Sequence, residues 1–357
     1  MLSDDLLAWY DAHARDLPWR VPPAASKRGV RSDPYHVWLS EIMLQQTTVK
    51  AVIPYFEAFR ARWPGVADMA AADAADVMEM WAGLGYYARA RNMHGCARVV
   101  TREHGGRFPR TETELRALPG LGEYTAAAIA AIAFGRHAAV VDGNIERVAA
   151  RVLADPTPKP RLKPVARRWM DENVPADAPG GRPGDFVQAV MDLGATICTP
   201  RRPLCALCPL NAACRAFREG DPLDLPVPAP RKARPVRRGA VFVARRGDGA
   251  VWVVRRPPAG LLGGTLALPT TDWSAKRDGA TGAEAAPFRA RWRHVGTTEH
   301  GFTHFLIRLD VYAAETDEAT GDGWWECDPA LPTLFRKVRA VAERDRSTGP
   351  PGRNESG

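Results

Sequence analysis

The chain of 357 residues lacks any long apolar run and contains few cysteines. Its first ten residues have neither a basic start nor an apolar core, which argues against a secretory signal there. No stretch approaches the roughly 18 uninterrupted apolar residues of a membrane span. We therefore expect a cytoplasmic protein with no membrane partner, in a compartment that keeps thiols reduced.

Six cysteines are present, and two of them, Cys96 and Cys327, are isolated. The other four lie within seventeen residues at the spacing C-x6-C-x2-C-x5-C: Cys198, Cys205, Cys208 and Cys214. Such proximity indicates either local disulfides or a shared metal centre, and a reducing compartment disfavours disulfides. Thiolate ligation suits both zinc and an iron–sulfur cluster. Zinc sites usually carry two C-x2-C pairs and this segment has one, but spacing alone leaves both metals open.

Composition is that of a folded protein, with 45% hydrophobic and 25% charged residues. The length favours two domains, each large enough to bury a core of its own. The net charge of +8 favours a polyanionic partner, although charge alone identifies none.

The pattern of apolar residues changes near residue 220. Residues 1–217 show helical spacing and predict a helical domain, whereas 218–238 is rich in proline and basic residues and predicts an extended linker. Period-two strands predict a smaller domain over 239–344, and 345–357 is expected to be disordered. Helical spacing is clearest over 37–59, 125–134, 145–153 and 186–195. Strands are predicted over 240–244, 251–254 and 305–312.

A short turn motif, Leu118-Pro-Gly-Leu-Gly122, lies between two predicted helices. Proline followed by two glycines makes a tight turn whose backbone N–H groups converge beside a helix N-terminus, which suits a phosphate. An ordinary helix–helix turn is the alternative. Asp142 follows twenty residues later between two apolar helices, where capping of the second helix is an alternative to a catalytic role.

In this order, the hairpin, the aspartate and the cysteine cluster resemble the endonuclease III superfamily of DNA glycosylases. The resemblance covers residues 1–217 and implies an all-α helix–hairpin–helix domain whose four cysteines hold one 4Fe–4S cluster. It also implies DNA contacts at Leu118, Gly120 and Gly122. Lyase members carry a Schiff-base lysine two places after the last hairpin glycine. Tyr124 stands here and cannot form an imine, so we predict a monofunctional glycosylase.

The segment Trp38-Leu-Ser-Glu-Ile-Met-Leu-Gln-Gln-Thr-Thr48 is similar to the MutY family of adenine DNA glycosylases. The resemblance implies that Glu41 is the catalytic acid and that Asp142 stabilises an oxocarbenium-like sugar. Tyr124 and Asn144 would give polar support. Apolar neighbours on the same helical face should favour the protonated form of Glu41.

The same resemblance assigns residues to DNA and to the flipped base. Gln46 and Tyr87 would enter the base stack, whereas Arg20 and Gln188 would line the adenine pocket. Tyr87 as a core residue and Arg20 as a surface ion-pair partner are the alternatives. The implied substrate is double-stranded DNA carrying adenine opposite 8-oxoguanine or guanine, bound by a monomer in the bacterial cytoplasm.

The strand-rich region resembles the C-terminal domain of the MutY family and the α+β fold of MutT/Nudix hydrolases. The acidic string G-x5-E-x7-R-E-x2-E-E is missing, so no nucleotide hydrolysis is predicted. Phe302, Thr303 and His304 match the family loop that checks for 8-oxoguanine, with threonine in place of serine.

Two other functions remain open from the sequence. An endonuclease III-like glycosylase for oxidised pyrimidines is one, and Tyr124 together with the second domain argues against it. A DNA-binding Fe–S protein without catalysis is the other, and the presence of Glu41, Asp142 and Tyr124 argues against that.

Overall fold

The computed structural model describes residues 2–178, 180–229, 233–257 and 260–348. The chain divides into two compact units. The first comprises Met1–Met80 and Arg89–Arg231, and the second comprises Trp81–Ala88 and Lys232–Gly357. Among the described residues, no helix combines the length and hydropathy needed to traverse a bilayer.

The first unit is helical. Its α-helices are α1 Leu2–His13, α2 Pro23–Ser26, α3 Pro34–Leu44, α4 Val49–Arg62, α5 Val66–Ala71, α6 Ala74–Met80, α7 Ala88–Glu103, α8 Glu112–Arg116, α9 Glu123–Phe134, α10 Gly143–Leu153, α11 Leu162–Asn173, α12 Pro183–Thr196 and α13 Arg215–Glu219. The helices predicted over 125–134, 145–153 and 186–195 are confirmed as α9, α10 and α12.

The single helix predicted over 37–59 is wrong, because the structure divides it into α3 and α4. Gln46 has a left-handed φ of 56°, which no α-helix accommodates. Thr48 then caps α4, its side chain accepting a hydrogen bond from the Ala51 amide. The apolar spacing continues across the break, so periodicity alone did not reveal it.

Helix α9 lies in the core of the first unit. Residues 125–133 are all buried, and most are alanine. Because alanine side chains are short, α3, α8 and α12 all pack closely against this helix. The residues that precede and begin α9 are thereby held against the end of α3.

The second unit contains one mixed sheet and a helix. Its elements are β1 Val236–Arg245, β2 Val251–Arg255, β3 Leu266–Ala267, β4 Arg293–Gly301, β5 Leu306–Glu315, β6 Gly323–Glu326 and α14 Thr333–Thr348. The sheet order is β3-β2-β1-β5-β4, with β6 paired to β2; β1 and β5 are parallel, and the other pairs are antiparallel. Helix α14 packs on this sheet around Phe335 and Val338. The predicted strands lie in β1, β2 and β5, as the sequence indicated.

The predicted boundaries of the second unit need correction. Strand β1 begins at Val236, inside the predicted linker. Helix α14 continues to Thr348, so the disordered tail predicted from residue 345 is wrong for its first four residues. Residues 349–357 lie outside the described part of the chain.

Candidate active site

Glu41 lies in the last turn of α3. The helix begins at Pro34, and the Asp33 side chain caps it by accepting a hydrogen bond of 2.8 Å from the Tyr35 amide. Glu41 is only 7% exposed, and burial raises the pKa of its carboxyl to about 7, although the Tyr124 hydroxyl opposes the rise by donating a bond of 2.8 Å to Oε2. A carboxylic acid with this pKa is substantially protonated at neutral pH.

Asp142 precedes α10 and caps it. Its Oδ1 accepts a hydrogen bond of 2.7 Å from the Ile145 amide, and its Oδ2 accepts one of 3.0 Å from the Asn144 side chain. Burial raises the pKa of this carboxyl above its ordinary value, and the two hydrogen bonds offset only part of that rise. The two interpretations of Asp142 are therefore compatible, since the capping residue also faces the cavity that contains Glu41.

A cavity of about 290 Å³ joins these side chains. Its lining includes six residues that the sequence assigned to catalysis or to the adenine pocket: Arg20, Glu41, Tyr124, Asp142, Asn144 and Gln188. They come from α3, α9, α10, α12 and the segment before α2. The volume is near the lower end of small-molecule sites, which suits a single flipped base.

Asn144 is held in place from two sides. Gly194 of α12 packs directly against it, and a Cβ at Gly194 would lie 2.7 Å from the Asn144 Cβ. Arg147 donates a bond of 2.9 Å to the Asn144 side-chain oxygen and one of 2.6 Å to the Gly194 carbonyl. The close contact between α10 and α12 thus depends on glycine at position 194.

Arg20 is not a surface ion-pair residue. Its side chain is 8% exposed and lies 2.7 Å from the carboxylate of fully buried Asp192. Neither Asp192 nor Arg15, which also pairs with it, was singled out from the sequence. One feature could have pointed to Asp192. It is a charged residue on α12, which is buried throughout residues 183–194, and a buried charge needs a partner.

The Gln46 turn is supported from α7. Arg89 is buried and donates bonds of 2.9 Å to the carbonyls of Ile42 and Met43, which are among the last acceptors of α3. Gln46 itself is exposed and lies outside the residues that line the cavity. This exposed position suits the DNA contact predicted for it.

The predicted hairpin forms a tight turn before α9. Gly120 has a φ of +76°, and a Cβ there would lie 2.6 Å from the Asn92 Cβ, so this position requires glycine. Gly122 is the N-cap of α9. Leu118 is only 4% exposed, so its side chain belongs to the core and its backbone alone is available to DNA.

All six cysteines are free thiols, so the four predicted ligands form no disulfides. Burial raises the pKa of Cys208 to about 12, and the other three thiols of the cluster act on it electrostatically. Among the described residues, no group of three or more Cys, His, Asp or Glu side chains is arranged to hold a metal ion. The four predicted ligands lie in one segment, and the Cys208 thiol is near enough to the other three to interact with them electrostatically.

Two arginines of α10 contact this cysteine loop. Arg147 donates a bond of 2.7 Å to the Cys198 carbonyl, and Arg151 lies 3.3 Å from the Cys198 sulfur. Four sulfur donors beside two guanidinium groups fit a thiolate-ligated iron–sulfur cluster, because the positive charge offsets that of the thiolates.

The Phe302–His304 segment forms the turn between β4 and β5 in the second unit. The Phe302 amide donates a bond of 2.9 Å to the Phe305 carbonyl, and the two rings stack at 4.8 Å. Thr303 and His304 are exposed. The turn thus buries its phenylalanine partly and presents a hydroxyl and an imidazole to solvent.

Two neighbouring tyrosines in this second unit differ in exposure. Tyr86 is 51% exposed, and its hydroxyl lies 3.3 Å from the Thr303 hydroxyl. Tyr87, for which a DNA contact was predicted, is half-buried. The sequence contains two adjacent tyrosines and no local signal that distinguishes them.

Comparisons with known proteins agree with this architecture. The model of the HhH-GPD superfamily base excision DNA repair protein matches residues 39–169, and that of the NUDIX domain matches 240–340. Adenine DNA glycosylase of Mus musculus is 37% identical over 96% of this chain and 78% of its own length. The chain belongs to the adenine DNA glycosylase family. The predicted family and its two-domain fold are confirmed.

A further relative has the same activity in its name, and a solved structure with a similar fold has a different one. Adenine DNA glycosylase of Homo sapiens is 38% identical over 88% of this chain and 67% of its own length. The structure of a thermostable thymine-DNA glycosylase is 30% identical, covers 61% of this chain and 95% of its own, and superimposes with a TM-score of 0.52. The helical fold is thus similar to that of a glycosylase named for another base, so the fold alone does not select adenine.

Proposed function

We propose that this member of the adenine DNA glycosylase family excises adenine opposite 8-oxoguanine or guanine in double-stranded DNA. The observation that carries the proposal is the pair of carboxyl groups, Glu41 and Asp142, facing one cavity with different environments. Burial raises the pKa of both carboxyl groups, to about 7 for Glu41, and Asp142 differs in accepting hydrogen bonds at both of its oxygens, which stabilise its carboxylate form.

The proposed reaction gives these two carboxyl groups different roles. Once adenine leaves the duplex and enters the cavity, Glu41 protonates N7 of the ring. The C1′–N9 bond then breaks, its electron pair leaves with the base, and the Asp142 carboxylate stabilises the cationic sugar. A water molecule adds to C1′ and gives up a proton, which completes hydrolysis. Tyr124 supplies no amine, so the sugar is not captured as an imine.

Recognition of the opposite base belongs, in this proposal, to the second unit. Thr303 and His304 are exposed at a turn, and the Tyr86 hydroxyl is within 3.3 Å of the Thr303 hydroxyl. These groups supply hydrogen-bond donors and acceptors that suit the edge of an oxidised guanine. We assign the stacking role predicted for Tyr87 to Tyr86, because Tyr86 is the more exposed of the two.

We further propose that Cys198, Cys205, Cys208 and Cys214 hold one 4Fe–4S cluster, which would stiffen its loop and position it for DNA. Iron analysis and visible absorption of anaerobically purified protein test this. We expect about four irons per chain and the loss of both signals in Cys208→Ser but not in Cys327→Ser. Zinc in place of iron would contradict the proposal.

A single comparison of substrates tests the activity. Purified protein is incubated with duplexes carrying adenine opposite 8-oxoguanine, adenine opposite guanine, or an oxidised thymine, and strand breaks are measured before and after alkali. We expect alkali-dependent breaks at adenine only, and none in Glu41→Gln, which should still bind the duplex. Cleavage confined to oxidised thymine would refute the proposal, and breaks without alkali would refute the monofunctional mechanism.

We also propose that the chain acts as a monomer on bacterial DNA in the cytoplasm. Its net charge of +8 suits a polyanionic partner. Light scattering of the free protein and of its complex with a short duplex should give the mass of one chain per DNA. A dimeric mass in either sample would contradict this.

A further inference from the structure

Asp192 on α12 accepts hydrogen bonds from both ends of the short segment that runs from Arg15 to Arg20. Its Oδ1 accepts a bond of 2.6 Å from Arg15 Nε, and its Oδ2 accepts bonds of 3.0 Å from the Arg15 amide and 2.7 Å from Arg20 Nη1. The carboxylate is fully buried. Because a buried carboxylate is costly unless charge and hydrogen bonds compensate it, these contacts account for its presence in the core.

Arg20 extends from this carboxylate to the wall of the cavity that contains Glu41. Burial lowers the pKa of Arg20, but Asp192, with smaller contributions from Tyr10 and Glu41, raises it above its ordinary value. Arg20 therefore stays charged, and its charge acts on Glu41, where it favours the carboxylate over the acid. An uncompensated guanidinium at this place would work against a general acid.

We infer that Asp192 is a positioning residue for adenine excision: it holds Arg20 in the cavity wall and compensates its charge, so that Glu41 remains an acid near neutral pH. The inference rests on the proposed adenine excision and extends it to a residue that touches neither the base nor the sugar. In this inference, the Asp192 carboxylate both orients the Arg20 side chain in the pocket and helps to keep Glu41 protonated.

The charges around Glu41 make this inference specific. Tyr124 from α9 and Arg20 both favour the ionised form of Glu41, whereas Asp142 at the start of α10 disfavours it. Arg15 lines the same cavity, but its side chain is 29% exposed, so solvent screens its charge. Arg20 is the buried cation whose field depends directly on Asp192.

The pH dependence of excision tests the inference. Single-turnover rates are measured on adenine opposite 8-oxoguanine for the wild type and Asp192→Asn. The two variants are compared by the alkaline limb of the pH–rate profile, which is the pH range over which the excision rate falls as the pH rises. We expect the limb to move to lower pH by roughly 0.5 to 1 unit, because the field of Arg20 is no longer compensated. Duplex affinity should stay within about threefold, and Asp192→Glu should restore the limb. An unmoved limb would overturn the inference.

Asp185→Asn is the matched control. Asp185 is also buried on α12, but it pairs with Arg182 and not with Arg20. This variant loses a comparable ion pair on the same helix and should leave the alkaline limb where the wild type has it. A shift of equal size in Asp185→Asn would make the effect a general consequence of loosening α12.

A second pair of variants removes the dependence on how well Asp192→Asn folds. In Arg20→Gln the limb should lie at higher pH than in the wild type, and adding Asp192→Asn to that variant should not lower it, because the cation is gone. A limb that still moves down in the double variant would overturn the inference. Wild-type protein that removes no adenine would refute the proposed function, whereas active wild type with an unmoved limb in Asp192→Asn refutes this inference alone.

Discussion

The hydroxyl of Tyr124 donates a hydrogen bond of 2.8 Å to Oε2 of Glu41. This bond favours the carboxylate, whereas burial favours the acid and has the larger effect, so the pKa of Glu41 settles at about 7. The second residue of α9 thus tunes the pKa of an acid in the last turn of α3. A proton donor with a pKa near the working pH is the most effective general acid.

The excision rate of the wild type should fall as the pH rises through about 7, because protonated Glu41 is then lost. Tyr124→Phe removes the bond that favours the carboxylate, so the pKa of Glu41 should rise and this alkaline limb should move up by roughly half a unit to one unit. Single-turnover rates between about pH 5 and pH 9 measure it. A limb that stays in place or moves down in Tyr124→Phe would show that Glu41 is not the titrating acid.

Glu41 should cost the protein stability at alkaline pH. Its pKa is about 7 in the folded chain against a usual 4.5, so the folded state binds more protons between these values and stability falls as pH rises. This loss of stability is absent below the pKa of Glu41 in the unfolded chain and complete above its pKa in the folded chain. At its full extent it is on the order of 3 kcal/mol. Glu41→Gln should therefore unfold at higher urea than the wild type at about pH 8 and at similar urea at about pH 4. Glu57→Gln, at an exposed position of α4, is the control and should show no such difference.

Gly194→Ala should damage both stability and activity. The new Cβ would lie 2.7 Å from the Asn144 Cβ, and the nearby backbone of α10 leaves little room for relief. We expect a loss of about 1–3 kcal/mol in unfolding free energy and a fall of roughly tenfold or more in excision rate as Asn144 and Asp142 shift. Gly95→Ala in α7 is the matched control, since a Cβ there meets nothing within 4 Å. Equal effects of the two substitutions would contradict the packing argument.

Thr303→Ala combined with His304→Ala should remove the preference for 8-oxoguanine while leaving excision opposite guanine nearly unchanged. Both side chains are exposed at the β4–β5 turn. The ratio of excision rates on the two duplexes measures the preference. His294→Ala with Thr297→Ala on β4 is a control of the same composition away from the turn. If the ratio survives in the turn variant, the assignment of this loop is wrong.

Apolar spacing predicted much of the helical fold correctly, and the errors of that prediction have local causes. Helices α9, α10 and α12 follow continuous periodicity, and they were predicted correctly. The break between α3 and α4 was missed, because the apolar spacing continues through a turn where Gln46 is left-handed. Thr48 was the available signal, since threonine is a frequent N-cap.

The residues of the candidate site that belong to short sequence motifs were predicted. Those whose role depends on a partner far away in the sequence were not. Glu41, Tyr124 and Asp142 were identified from short strings and do face one cavity. The bond from Arg20 to Asp192 joins residues 172 positions apart, and no local pattern reports such a pair. The choice between two adjacent tyrosines likewise depends on exposure in the folded unit.

The sequence by itself determined which reactions are chemically open. Tyrosine at position 124 has no amine for an imine, and four clustered thiols supply soft sulfur donors, because these properties belong to the side chains themselves. The sequence predicted that apolar neighbours favour the protonated form of Glu41, but only the tertiary structure decided that the pKa of this carboxyl is about 7. Its pKa depends on burial and on groups brought from α9, α10 and the Arg20 segment, and only folding places these within electrostatic reach.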